Sequence, residues 1–137
     1  MTDVLEVDGQ PGLLMEFIEG PSLEQAMTRY QLDLETAETL FLGIVAGVRR
    51  AHSVGLVHRD LKPANVLLAN TAKGFVPKVT DFGLAKVLSD GRAPGSSQTR
   101  QGVAMGTPAY MAPEQIRDAG GVDFRADIWS LLSLIHI

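Results

Sequence analysis

The chain has 137 residues, with 12 basic and 16 acidic side chains, a formal net charge of −4, three histidines and no cysteine. That length suits one domain of ordinary size, and the acidic balance argues against nucleic acid as the main partner. The lack of cysteine excludes a disulfide framework or a thiolate metal site, and no stretch reaches the ~20 consecutive apolar residues of a membrane span.

The start, Met1-Thr2-Asp3-Val4-Leu5-Glu6, lacks the basic and apolar regions of a signal peptide, so a cytoplasmic location is expected. Val4 to Val7 reads as a short strand, turned by Asp8-Gly9-Gln10-Pro11-Gly12. Leu13 to Ile18 reads as a second strand, stopped at Gly20-Pro21. Ser22, with Gln25 three residues on, forms a capping-box pattern that opens a helix from Leu23 to Tyr30. A longer helix begins at Asp33-Leu34-Glu35-Thr36. Its residues Ala37, Leu40, Phe41, Ile44, Val45, Val48 and Ala51 repeat at helical spacing, and Gly55 caps its end. Val66 to Leu68 and Val76 to Val79 read as strands around a turn from Asn70 to Gly74. Ser89 to Arg100 is poor in apolar residues and reads as a mobile loop. A short helix ends over Ile116 to Gly121, and Phe124 to Leu131 begins a buried one.

Three motifs carry chemistry. His58-Arg59-Asp60-Leu61-Lys62-Pro63-Ala64-Asn65 places a carboxylate, an ammonium and an amide within six residues. A carboxylate such as Asp60 can orient a hydroxyl and take its proton. Lys62 lies two residues on; in an extended loop both side chains share one side, and the ammonium can neutralise charge on a phosphoryl group. Asn65 offers an amide oxygen suited to Mg²⁺. Asp81-Phe82-Gly83 follows a β-like run. A carboxylate there can bind Mg²⁺ that bridges phosphates, Phe82 can bury and fix it, and Gly83 lets the backbone turn sharply. In Gly106-Thr107-Pro108-Ala109-Tyr110-Met111-Ala112-Pro113-Glu114, Thr107 could hydrogen-bond Asp60 and Lys62. Glu114, if buried, needs a cation. Taken alone, each has an ordinary use: a loop-capping Asp, a solvated Lys, a turn Asn, a strand-ending turn, a Gly/Pro loop. Their shared order and spacing have no such explanation.

On these residues the chain resembles the catalytic domain of eukaryotic-like serine/threonine protein kinases, from about Val4 to Leu131. Lys62 and the Gly106 to Glu114 run resemble serine/threonine rather than tyrosine kinases. Pro-Ala-Asn-Val-Leu-Leu and Met-Ala-Pro-Glu-Gln resemble the bacterial branch. The resemblance implies an α+β, protein-kinase-like fold: the end of the small lobe plus the first part of the helical large lobe. It implies ATP and Mg²⁺ as cofactors and a protein substrate with serine or threonine. Met15 matches the gatekeeper, Glu16 to Ile18 the hinge that pairs with adenine, and Leu67 the pocket floor. Asp60 matches the catalytic base; Lys62 and Asn65 serve phosphate and metal, and Asp81 holds Mg²⁺. His58, Phe82, Gly83 and Glu114 match structural positions, and Asp127 matches the Asp that tethers the catalytic loop. Arg59 would pair with a phosphate added to the activation segment at Thr99, Ser96 or Ser97.

The family's Gly-rich loop, strand lysine and helix glutamate have no counterpart here and would lie before Met1. After Leu131 the family expects Gly; this chain has Leu132-Ser133-Leu134-Ile135-His136-Ile137, so residues 132–137 are expected to be an atypical, non-native tail. The arginine that pairs with Glu114 would lie in helices beyond it. Two expectations follow: residues 1–131 as a partial kinase domain that phosphorylates inefficiently alone, and apolar surface on the long helix left exposed to aggregation. The competing readings are a pseudokinase-like binding scaffold or non-functional remnant, and a small-molecule phosphotransferase. The intact set Asp60, Lys62, Asn65 and Asp81 disfavours the scaffold. The Gly106 to Glu114 run disfavours the small-molecule enzyme, since it resembles the part that docks protein substrates.

Overall fold

The computed structural model describes residues 3–7, 10–82, 108–117 and 121–135. Two antiparallel hairpins and four α-helices lie among these residues. Strands β1 (Asp3–Val7) and β2 (Gln10–Leu14) pair with Asp3 opposite Leu14. The second strand was expected over Leu13 to Ile18; its ladder instead runs earlier, and Met15 to Glu19 follow outside any strand. The register explains the shift, because Leu14 already faces the first residue of β1.

Helix α1 (Leu23–Arg29) has the capping box read from the sequence. The Gln25 N–H donates to Ser22 Oγ at 3.1 Å, and the Ser22 N–H donates to Gln25 Oε1 at 3.1 Å. Tyr30 is the C-cap rather than a helical residue. Helix α2 (Leu34–Ser53) starts at Asp33, whose Oδ1 accepts the Thr36 N–H at 2.7 Å. That bond holds the Asp33 carboxyl below its usual pKa of 3.8. Gly55 takes φ 79° just past the helix. The Leu56 N–H reaches Ala51 O and the Gly55 N–H reaches His52 O, both at 3.0 Å. This pair is a Schellman motif, in which glycine takes the left-handed position that a Cβ penalises. It turns the chain directly into His58.

Strands β3 (Val66–Thr71) and β4 (Gly74–Val79) are longer than the sequence suggested. The turn shrinks to Ala72 and Lys73, since Asn70 and Gly74 belong to the ladder. Thr71 closes it: its hydroxyl donates to Gly74 O at 2.6 Å and accepts the Lys73 N–H at 3.2 Å. The hairpin has two unlike faces. Val66, Leu68 and Val79 join Leu40, Ile44 and Val48 of α2 in the main core. Leu67 and its partner Lys78 lie on the other face. Core positions such as Ile44 and Leu68, both buried, each stabilise the fold by about 1.5–3 kcal/mol.

Residues 19–22 run beside β3, with the Leu68 N–H donating to Pro21 O at 2.8 Å and the Asn70 N–H to Glu19 O at 3.1 Å. The approach is so close that a Cβ on Gly20 would sit 1.8 Å from Leu68 O. Glycine is therefore required there.

Helix α3 (Pro113–Arg117) and helix α4 (Phe124–Ile135) complete the described elements. Ala112, just before α3, joins Val122 and Ala126, at the start of α4, in a second small core. Helix α4 was expected to be buried; it buries one face, through Ala126, Asp127, Ser130 and Leu131. Its other face leaves Phe124, Ile128, Trp129, Leu132 and Ile135 exposed. Exposed apolar surface was expected on the long helix, where Leu34 and Leu42 show some; α4 carries more of it. The helix continues through Leu132 to Ile135. The loop expected over Ser89 to Arg100 and the last two tail residues, His136 and Ile137, lie outside the described residues.

Candidate active site

The end of α2 delivers His58 into the interior, where it is 2% exposed. Its Nδ1 accepts the Asp60 N–H at 3.2 Å, so the proton sits on Nε2, which donates to Thr80 O at 2.7 Å. The ring thereby ties the loop before β3 to the segment after β4. Phe82 lies against the same ring, with centroids 4.8 Å apart and planes at 57°. Expected to bury Asp81, Phe82 instead contacts His58, and Asp81 remains exposed.

Arg59 has φ 69° and Asp81 φ 63°. Left-handed backbone at a non-glycine residue costs on the order of 1–3 kcal/mol and persists only where surroundings enforce it. At Arg59 the enforcing groups are visible. Asp127 of α4 is fully buried and accepts the Arg59 N–H on Oδ1 at 2.8 Å. Its Oδ2 accepts the His58 N–H at 2.8 Å and the His52 Nε2–H at 2.7 Å. Three donors satisfy a carboxylate that would otherwise be costly to bury. On the other side of the residue, Gln115 of α3 donates its amide N–H to Arg59 O.

Leu61 is buried between Asp60 and Lys62 and anchors the loop, so both polar neighbours turn the same way. The Lys62 Nζ lies 3.0 Å from Asp60 Oδ2. The pair is partly exposed and adds little to stability; its effect is to orient the carboxylate. Pro63 to Asn65 form a 3₁₀ turn opened by proline, and the Asn65 Nδ2–H₂ donates to Asp60 O at 2.8 Å and Oδ2 at 3.3 Å. Across the hairpin base, the Thr80 N–H donates to Asn65 O at 2.9 Å. Asp81 is the next residue, and its Oδ2 accepts the Thr80 hydroxyl at 3.4 Å. Asp60, Lys62, Asn65 and Asp81 thus gather at one end of the β3–β4 hairpin.

Of the expected nucleotide residues, Glu16 and Leu67 lie at the hairpin's other face. Met15 and Glu16 are exposed, while Ile18 and Leu67 are half-buried. Glu16 Oε2 lies 4.0 Å from Lys78 Nζ, and Lys78 pairs with Leu67.

Gly83, Ser96, Ser97, Thr99 and Thr107 lie outside the described residues. Glu114, expected to be buried beside a cation, is exposed and makes no ion pair among the described residues. The expected partner arginine is not among them. Tyr110, just upstream, has its hydroxyl pKa raised by burial and then by the Glu24 carboxylate; its backbone oxygen accepts the Ser130 hydroxyl at 2.7 Å.

Sequence reasoning missed two residues of the site. His52 falls four residues after Val48 on the apolar face of α2, and a titratable group on such a face calls for a polar partner, a signal that could have found it. Gln115 carries no signal beyond following Glu114.

No group of three or more His, Cys, Asp or Glu side chains among the described residues could hold a metal ion alone. A cation at Asn65 and Asp81 would take further oxygens from water or phosphate, as Mg²⁺ commonly does. The donors fit: both are hard oxygens, and the Asn65 amide oxygen accepts no hydrogen bond among the described residues.

The sequence matches the family described as protein kinase domain over residues 1–137. It is 40% identical over 126 residues to the serine/threonine-protein kinase AfsK of Streptomyces griseus, covering 91% of this chain and 14% of that protein. It is 38% identical over 131 residues to the serine/threonine-protein kinase PknL of Mycobacterium tuberculosis, covering 94% and 31%. CBL-interacting protein kinase 16 of Oryza sativa is 38% identical over 135 residues, covering 98% and 28%. The chain therefore spans less than a third of the length of these relatives.

Proposed function

The chain belongs to the protein kinase family, and on that premise we propose that it is a segment of an enzyme that transfers the γ-phosphoryl group of ATP to serine and threonine hydroxyls of protein substrates, inefficient when isolated from the rest of that enzyme. One observation carries this reading. The Asp60 carboxylate is held by Lys62 at 3.0 Å and by the Asn65 amide at 3.3 Å, at the same hairpin end as Asp81.

Asp60 accepts the proton of the substrate hydroxyl and aims its oxygen at phosphorus. Lys62, drawn toward Asp60, places its positive charge beside the transferring group. Asn65 holds Asp60 through its amide nitrogen, and its amide oxygen and the Asp81 carboxylate would hold Mg²⁺. Mg²⁺, when bound, neutralises charge on the β- and γ-phosphates. Met15, Glu16, Ile18 and Leu67 are the residues that would hold the adenine. Arg59, whose guanidinium makes no hydrogen bond or ion pair among the described residues, receives a phosphate added at Thr99, Ser96 or Ser97. Residues 1–131 form the kinase portion.

The test is incubation of the full-length protein with γ-labelled ATP, Mg²⁺ and an acceptor protein, followed by phosphoamino-acid separation. Label is expected in phosphoserine and phosphothreonine. Absence of transfer, or label confined to phosphotyrosine, would sink the proposal.

A further inference from the structure

Both peptide groups of Arg59 are gripped by side chains from elsewhere in the chain. The N–H goes to Asp127 Oδ1 at 2.8 Å, and the carbonyl receives the Gln115 amide. The two grips share one platform. Asp127 belongs to α4, and Gln115 to α3, whose preceding residue Ala112 packs with Val122 and Ala126 at the start of α4. The Ser130 hydroxyl of α4 fixes the residues just before α3 by donating to Tyr110 O at 2.7 Å. Arg59 therefore lies in a clamp whose jaws are joined, and its left-handed φ of 69° is what the clamp imposes.

The next peptide unit carries Asp60. A rotation at Arg59 would swing the carboxylate away from Lys62 and Asn65, because the Arg59 carbonyl belongs to the peptide plane that leads into Asp60. We propose that Gln115 is a positioning residue for phosphoryl transfer: its amide locks the Arg59–Asp60 peptide and so holds the Asp60 carboxylate in its reactive orientation. The chemistry suits the task. A primary amide donates to a carbonyl at any ordinary pH, whereas a carboxylate of the same shape cannot. Gln115 is also half-buried, so the bond is partly shielded from water.

This role rests on the phosphoryl-transfer reading, and the test separates the two. The variants are Gln115→Glu, which keeps the shape and loses the donor, and Gln115→Leu, which removes both polar atoms. Ile116→Ala, on the same helix and exposed, is the control. Loss of one such bond should lower kcat roughly 3- to 10-fold in both Gln115 variants, while the KM for ATP stays at the wild-type value. Ile116→Ala should leave both constants unchanged. Amide hydrogen exchange at Arg59 and Asp60 should quicken in the Gln115 variants alone, with exchange in α2 unaltered. Wild-type kcat with unchanged exchange at Arg59 and Asp60 would overturn the proposal. So would a loss in which KM and α2 exchange move together, the mark of general loosening. If the wild-type protein transfers no phosphate, the functional reading fails, and the exchange rates still decide whether the clamp exists.

Discussion

Replacing Asp127 by alanine should damage the fold more than any other single polar substitution in the site. The carboxylate is fully buried and accepts three hydrogen bonds, from the His58 and Arg59 N–H groups and from His52. Truncation strands the buried His58 N–H and the partly buried Arg59 N–H at about 1–3 kcal/mol each, and the loss of the His52 bond adds about 1 kcal/mol. The sum, about 3–7 kcal/mol, approaches the whole stability of an ordinary domain, about 5–15 kcal/mol. Asp127→Asn keeps one acceptor oxygen and should lose about half as much. At roughly 4 °C per kcal/mol for a chain of this size, that is a fall in Tm of about 6–14 °C. His52→Ala leaves both backbone donors paired and should cost only about 1 kcal/mol. Urea unfolding and thermal melts of the three variants give the comparison. An Asp127→Ala protein within about 1 kcal/mol of the wild type would refute the reasoning, as would a His52→Ala loss equal to that of Asp127→Ala.

Gly20→Ala should destabilise the protein by about 1–3 kcal/mol, because the new Cβ would lie 1.8 Å from Leu68 O and backbone must give way; the melting temperature reports it. Acid should weaken the start of α2. The Asp33 pKa is lowered in the folded state by the Thr36 backbone N–H, so its contribution is present above the unfolded carboxylate value of 3.8 and fades as pH falls through the folded value. The stability gap between wild type and Asp33→Ala, measured by urea unfolding from neutral pH into the acid range, should therefore close toward the acid end. Lys62→Met should lower kcat by about 10-fold or more while sparing the fold, since its ion pair with Asp60 is partly exposed; activity and melting together check this.

Local chemistry is legible in the sequence wherever it acts over a few residues. Ser22 with Gln25, Asp33 and Gly55 mark helix ends, and all three act as read. Asp60 and Lys62 share a side because one extended residue, Leu61, separates them and points inward. What escapes is non-local. Asp127 and His52 are 75 positions apart, and Gln115 and Arg59 are 56 apart; no short window of sequence contains either pair. The left-handed backbone at Arg59 and Asp81 is hidden for a related reason, since neither residue type announces it. At Arg59 it is imposed by bonds from distant residues. By residue type, Gly83 is the obvious candidate for the sharp turn, yet the left-handed angle already falls at Asp81. Met15 to Ile18 look like a strand by composition, but the β1–β2 register gives them no partner among the described residues. Helix α4 looks buried because it is apolar nearly all round, and composition does not say which face meets the core.

The central claim is a division of labour: Asp60 serves the hydroxyl, and Asp81 serves the metal–nucleotide pair. Titrating ATP into Asp60→Asn and Asp81→Asn proteins, with and without Mg²⁺, and measuring phosphate transfer on the same samples, tests it most directly. Asp60→Asn should bind Mg²⁺–ATP as the wild type does and lose transfer by about 10²- to 10⁴-fold. Asp81→Asn should lose the Mg²⁺-dependent part of the nucleotide affinity. Transfer retained by Asp60→Asn, or Mg²⁺–ATP bound at wild-type affinity by Asp81→Asn, would contradict the account.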